Sequence, residues 1–262
     1  MNWFQVKSFI KYQLKAKYAK GYGLHSPFVF TLVRDVMYSK YSYYAFSQIV
    51  QLRKQLAGSK EVLDIVDYGA GSRKLGLSQR RVSSLVRQSS IRPKYGELLY
   101  RLIDYFKPGS ILELGTSIGV STAYLALNDT QRQVITIEGC EAAAKVARKN
   151  LDQLGCVNVQ QITGQFVDVL PKIVAEQERM DLVFFDGHHQ KQATLNYFNM
   201  CLSKVSNSSI FIFDDIHWSK GMEEAWEIIC AHPKVSVSMD LFQLGIVFFR
   251  KECQKQHFIV RY

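Results

Sequence analysis

From residue 110 onward the chain repeats one unit: a short apolar run, a turn, then a stretch with helical spacing. "SILELG" leads to "STAYLAL", "QVITIEG" to "EAAAKVARKNLDQLG", "DLVFFDG" to "QATLNYFNMCL" and "SSIFIFDD" to "SKGMEEAWEIICAH", with "VQQITG" as a further strand. Strands joined by helical crossovers run parallel, because the helix carries the chain back to the end from which the strand started. The helix after "QVITIEG" turns Ala143, Val146, Ala147, Leu151 and Leu154 to one face and stops at Gly155. "KVSVSMDLF" and "GIVFFRK" stand close enough for a terminal hairpin, which adds an antiparallel edge. The expectation is an α/β fold: a doubly wound, Rossmann-like sheet of seven strands whose last strand is antiparallel.

The preceding region has a different grammar. Residues 1–20 fit a basic amphipathic helix, with Trp3, Val6, Ile10 and Leu14 near helical spacing among Lys7, Lys11, Lys15 and Lys17. "GYGLHSPF" breaks it, and Ser26 before Pro27 makes an N-cap and first-turn pair for "PFVFTLVRDVMYS". "EVLDIV" reads as a short strand, and "QRRVSSLVRQ" and "PKYGELLYRLIDYF" as helices, the latter with Leu98, Leu99, Leu102 and Phe106 as its stripe. The expected division is residues 1–92 as a mostly helical cap and 93–262 as the catalytic domain, together well within what 262 residues with 47% apolar content can pack.

Charge follows the same division. Residues 1–109 hold 19 Lys and Arg against 6 Asp and Glu, whereas residues 110–262 hold 14 against 17. A basic N-terminal part attracts phosphates, anionic lipid or an acidic substrate. The five cysteines are scattered without a CxxC pair, which fits reduced thiols rather than a disulfide frame or zinc site. With no long apolar run and no apolar leader at the N-terminus, the expected location is the cytoplasm.

Two glycine-containing turns compete as a cofactor loop: "VDYGAGSRKL" (66–75) and "ILELGTSIGVST" (111–122). Such a loop leaves a buried strand and enters a helix, and an acid ends the following strand to meet ribose hydroxyls. The turn at Asp67–Ser72 runs into basic, broken sequence and meets none of these conditions. The second meets all of them: strand Ile111–Leu114, then Gly115, Thr116, Ser117 and Gly119, Ser121 opening a helix, and Glu138 followed by Gly139, 23 residues after Gly115. Gly-Thr-Ser-Ile-Gly lacks the middle glycine of a dinucleotide loop, which disfavours NAD(P). That spacing suits S-adenosylmethionine, which has no pyrophosphate, and Glu113 stands where it can help place the methionyl amine.

Ligands of open α/β sheets sit beyond the carboxyl ends of the strands. Two later strand ends there carry acids and histidines, "FFDGHHQK" and "FIFDDIHW". Asp186, Asp214 and Asp215 form a carboxylate trio whose mutual repulsion a hard divalent ion such as Mg²⁺ would relieve. That ion would also stabilise a deprotonated hydroxyl in line with the methyl group.

This ordered set of motifs, from about residue 93 to 250, resembles the class I S-adenosylmethionine-dependent methyltransferases, and within them the catechol-type, metal-dependent O-methyltransferase branch. "HSPFVF", "DYGAGS" and "FDDIHW" further resemble a group of bacterial methyltransferases. The resemblance implies that Glu138 binds the ribose and that Gly164, Gln165 and Phe166 contact adenine. It also implies that Tyr95, in "Lys94-Tyr95-Gly96-Glu97", lies near the methionyl carboxylate. Asp186, Asp214 and Asp215 match metal ligands, with Asp186 also beside the cofactor; the Asp-Asp pair departs from the Asp-Asn or Glu-Asp of the compared branches. His189 matches the base of an Asp-Gly-x-His segment. A metal-free variant with His189 or His217 as base stays open, as does the acceptor: a small-molecule hydroxyl, or alternatively RNA held by the basic N-terminal region. An N-terminal helix lying on a membrane surface is a third reading, and the aromatic cap offers a homodimer face.

Overall fold

The computed structural model describes residues 3–66 and 77–262. The turn Asp67–Ser72 lies outside the described residues. In chain order the first elements are α1 (Trp3–Lys15), α2 (Pro27–Thr31) running into a π-helical turn at Leu32–Met37, α3 (Tyr44–Ala57), β1 (Val62–Val66), β2 (Leu77–Arg81), α4 (Val82–Gln88) and α5 (Pro93–Phe106). The alternating part follows: β3 (Ile111–Leu114), α6 (Val120–Ala126), β4 (Val134–Glu138), α7 (Glu141–Gln153), β5 (Val159–Thr163), α8 (Phe166–Glu176), β6 (Met180–Phe185), α9 (Lys191–Leu202), β7 (Val205–Asp214), α10 (Lys220–Ala231), β8 (Val237–Asp240), β9 (Leu244–Phe248) and β10 (Gln256–Ile259). This is the α/β class expected, a mostly parallel sheet with flanking helices and an antiparallel strand near its edge. Among the described residues no helix is long and apolar enough to cross a membrane. The chain divides into two compact units, Tyr41–Glu176 and the N-terminal segment through Lys40 together with Gln177–Tyr262.

In the unit Tyr41–Glu176, β3 pairs with β4 and β4 with β5, all parallel, and every residue of β3 is buried. α5 begins with Pro93 in its first turn and ends at Lys107, whose left-handed backbone precedes Pro108. Its inward face is Tyr95, Gly96, Leu98, Leu99, Tyr100, Leu102 and Ile103. Each fully buried aliphatic side chain there contributes about 1.5–3 kcal/mol. Gly96 permits the contact with α6: a Cβ at this position would lie 2.3 Å from the Tyr124 ring. Phe46 of α3 stacks edge-on to Tyr100 at 5.1 Å, and the Tyr43 hydroxyl donates to Asp104 at 2.7 Å. β1 and β2 form a separate antiparallel pair. Thus "QRR", read with the following helix in sequence, belongs to a strand, and α4 begins only at Val82.

In the other unit, β6 and β7 run parallel, β9 is antiparallel to both β7 and β8, and β10 joins β8 in parallel. The hairpin β8–β9 is the one expected. β10 is an additional strand; in "QHFI" only Phe258 is buried, so the segment lacks the apolar run by which the other strands announce themselves. α2 and α10 are capped as expected, Ser26 accepting from Val29 N and Ser219 from Met222 N. α1 is held by its tyrosine and the chain beyond it: the Tyr12 hydroxyl donates to the Val260 carbonyl at 2.6 Å, Lys17 N donates to the Ile259 carbonyl, and the Lys17 carbonyl accepts from Arg261 N.

Candidate active site

The loop after β3 is built by the end of β4. Gly115 N and Thr116 N both donate to the Ile137 carbonyl, and Gly119 N donates to the Thr116 carbonyl. Gly119 has φ 82°, a backbone disfavoured for other residues, and a Cβ there would sit 3.3 Å from Ala147 of α7. Ser117 tolerates φ 48° because its N–H is claimed by Glu138 Oε2 at 2.7 Å. Glu138 Oε1 accepts from Cys140 N at 2.8 Å. The two amides fix a half-buried carboxylate at the strand end. Ser121 is buried in α6, Gly139 follows Glu138 directly, and Gly164 N donates to the Glu138 carbonyl, which brings Gln165 and Phe166 to that strand end. Tyr95 is buried in α5.

Glu113, expected to help place a methionyl amine, is tied into a buried network. It is 0% exposed, and its Oε2 accepts from Thr122 at 2.5 Å and Thr136 at 2.6 Å. With its hydroxyl hydrogen spent on Glu113, Thr136 accepts from Thr116 at 2.6 Å. Burial pushes the Glu113 carboxyl up to about 7, against the pull of the Ser121, Thr122 and Thr136 hydroxyls. This network braces β3 against β4 and α6. Thr136 and Thr122 escape sequence reading, as does Asn150, which donates to the Ile118 carbonyl at 2.8 Å and pins the loop. A polar residue on an apolar helix face was the only signal for Asn150.

In the unit containing Gln177–Tyr262, Asp186 directly follows β6 and Asp214 ends β7. Asp214 is buried, with Asp186 and Asp215 as acidic neighbours. Burial, then the charge of Asp215, drives the Asp214 carboxyl well above its ordinary range. Its Oδ1 has no hydrogen-bond partner among the described residues. A buried carboxylate oxygen in that condition, beside two further carboxylates, is a donor set that a hard cation fits. Among the described residues no three His, Cys, Asp or Glu side chains already stand around one ion position.

The histidines separate into different environments. His189 Nε2 is 3.8 Å from Asp186 Oδ1, with a quarter of its side chain exposed. His188 is tied to the Tyr197 hydroxyl at 2.7 Å. His217 is buried, with Nε2 2.8 Å from Asp240 Oδ2 and Nδ1 3.5 Å from Glu223 Oε1. Asp240 in turn accepts from Phe242 N, and the Phe242 ring stacks on His217 at 5.3 Å. His217 thus borders a cavity of about 440 Å³ lined also by Tyr12, Trp226, Cys230 and His257, under α1.

Residues 112–216 match the family described as a methyltransferase domain. Over 130 residues the chain is 32% identical to the catechol O-methyltransferase of Niastella koreensis, covering 48% of this chain and 58% of that protein. The chain thus spans about half the length of the curated relatives it matches. Among solved structures, the O-methyltransferase from Bacillus cereus in complex with SAH has a TM-score of 0.56 at 22% identity, covering 84% of this chain and 96% of that one. SAH-bound Podospora anserina methyltransferase PaMTH1 has a TM-score of 0.60 at 14% identity, covering 82% and 91%. These structures share the fold of this chain. Residues 112–216 are thus similar to a methyltransferase domain, and about half of the chain is similar in sequence to catechol O-methyltransferases.

Proposed function

We propose that the protein transfers a methyl group from S-adenosylmethionine to a hydroxyl of a small molecule, with residues 93–262 carrying the chemistry and 1–92 serving as a cap region. The observation that carries this reading is Glu138, a carboxylate fixed by the Ser117 and Cys140 amides at the end of β4. A carboxylate held at that strand end suits the ribose diol, with Gly115, Thr116, Ser117, Gly119 and Ser121 forming the loop and Gly164, Gln165 and Phe166 serving adenine.

In the reaction the acceptor oxygen forms a bond to the methyl carbon as the sulfur–methyl bond breaks, and the hydroxyl proton leaves to a base. His189 fits that base: it is exposed enough to meet an acceptor, and its Nε2 lies 3.8 Å from Asp186 Oδ1. His217 fits less well, since both nitrogens face carboxylates of its own chain. Asp186, Asp214 and Asp215 would hold Mg²⁺, which would supply positive charge to stabilise the deprotonated hydroxyl. The test is methyl transfer from S-adenosylmethionine to a panel of catechols and simple phenols, read by mass spectrometry with EDTA and after Mg²⁺ is restored. Transfer that EDTA abolishes and Mg²⁺ restores supports the whole reading; transfer indifferent to both removes the metal, and an absence of S-adenosylhomocysteine binding removes the function.

A further inference from the structure

α1 is turned inside out relative to an ordinary surface helix. Its buried residues are polar or amphipathic, Gln5, Ser8 and Tyr12. Three of its apolar residues face water, Trp3 72% exposed, Ile10 53% and Leu14 81%, while Phe9 packs on Phe242. These three recur at i, i+7 and i+11, so they lie along one stripe of the helix. Lys7 shares the stripe, its Nζ 5.3 Å from the Trp3 ring centre, and Lys11 and Lys15 follow on the adjoining face. Residues 1–20 contain five lysines and no acid.

We infer that the outer face of α1 docks on an anionic membrane surface, with the helix lying in the headgroup plane. A helix that spends Gln5 and Tyr12 on inward hydrogen bonds, to the Trp218 and Val260 carbonyls, has its orientation fixed by the fold. The apolar stripe is therefore held outward rather than free to roll in. Tryptophan and aliphatic side chains bordered by lysines match the division between acyl chains and phosphate headgroups. The lysines supply the attraction to anionic lipid, each one near the surface being worth about fivefold in partition. A second copy on this face would bring two lysine rows together, and Ile10 and Leu14 offer RNA nothing.

The full chain is to be co-sedimented with vesicles of phosphatidylcholine alone and of phosphatidylcholine mixed with phosphatidylglycerol. The expected result is binding at least about tenfold stronger to the anionic vesicles, weakened by salt. Ile10→Ser with Leu14→Ser should weaken it by at least about tenfold again, with an unchanged melting curve, since both side chains are exposed. Lys7→Gln with Lys17→Gln should weaken it as well. A blue shift of tryptophan emission on adding anionic vesicles, lost in Trp3→Phe, would place the helix in the interface. No binding to anionic vesicles at low salt would overturn the inference. So would binding that survives Ile10→Ser with Leu14→Ser, or an RNA oligonucleotide bound just as tightly by wild type and by that variant.

Discussion

The carboxylate of Glu138 closes on the backbone N–H of Ser117, 21 residues earlier in the chain, at 2.7 Å. One residue thereby ends a strand and shapes the neighbouring loop. Glu138→Gln leaves only one amide oxygen for two N–H donors and sets an NH₂ against the other. A hydrogen bond to a charged group is worth about 1.5–3 kcal/mol, so calorimetry should find S-adenosylhomocysteine bound at least about tenfold more weakly. Affinity equal to wild type would remove Glu138 from the ribose.

The buried Glu113 makes stability depend on pH in a direction opposite to that of most carboxylates. Its carboxyl titrates at about 7 in the folded chain against 4.5 ordinarily, because burial disfavours the charge. The folded state therefore binds more protons between those values, and its stability falls as pH rises through that window. The contribution is fully present below the unfolded value and lost above the folded one, on the order of 3 kcal/mol. Urea denaturation of Glu113→Gln against wild type should favour the variant progressively from acid to mildly alkaline pH. A stability difference constant across the window would mean that Glu113 is ionised throughout.

Gly96→Ala tests the α5–α6 contact. The added methyl meets the Tyr124 ring at 2.3 Å, and overpacking of this kind costs about 1–3 kcal/mol. The melting temperature should drop by several degrees, about 2–4 °C per kcal/mol at this size. Gly58→Ala is the matched control: φ is −91° there and the nearest atom is 3.5 Å away, so its melting point should hold or rise.

Asp214→Asn separates stability from metal assistance. Burial already drives the Asp214 carboxyl well above its ordinary range, so a neutral amide of the same shape should cost the fold little. The melting temperature without metal should stay close to wild type. Millimolar Mg²⁺ should raise the melting temperature of wild type and not of the variant. A shift present in both proteins would place the ion elsewhere.

Local periodicity was enough to read the alternation of strands and helices after residue 110, the β8–β9 hairpin and the caps at Ser26 and Ser219. The same holds for the loop at Gly115–Gly119, because a buried strand, a tight turn and an acid ending the next strand follow one another within 30 residues or so of chain. The inside-out setting of α1 was beyond such reading. Periodicity identifies a stripe through Trp3, Ile10 and Leu14, but Tyr12 bonding to Val260, 248 residues away, decides which face turns inward. The pairing of His217 with Asp240 and the burial of Glu113 beneath Thr122 and Thr136 were likewise decided in three dimensions. Sequence determines which side chains are available along each element. A carboxylate or imidazole takes its charge and role from partners that are neighbours only after the chain has packed.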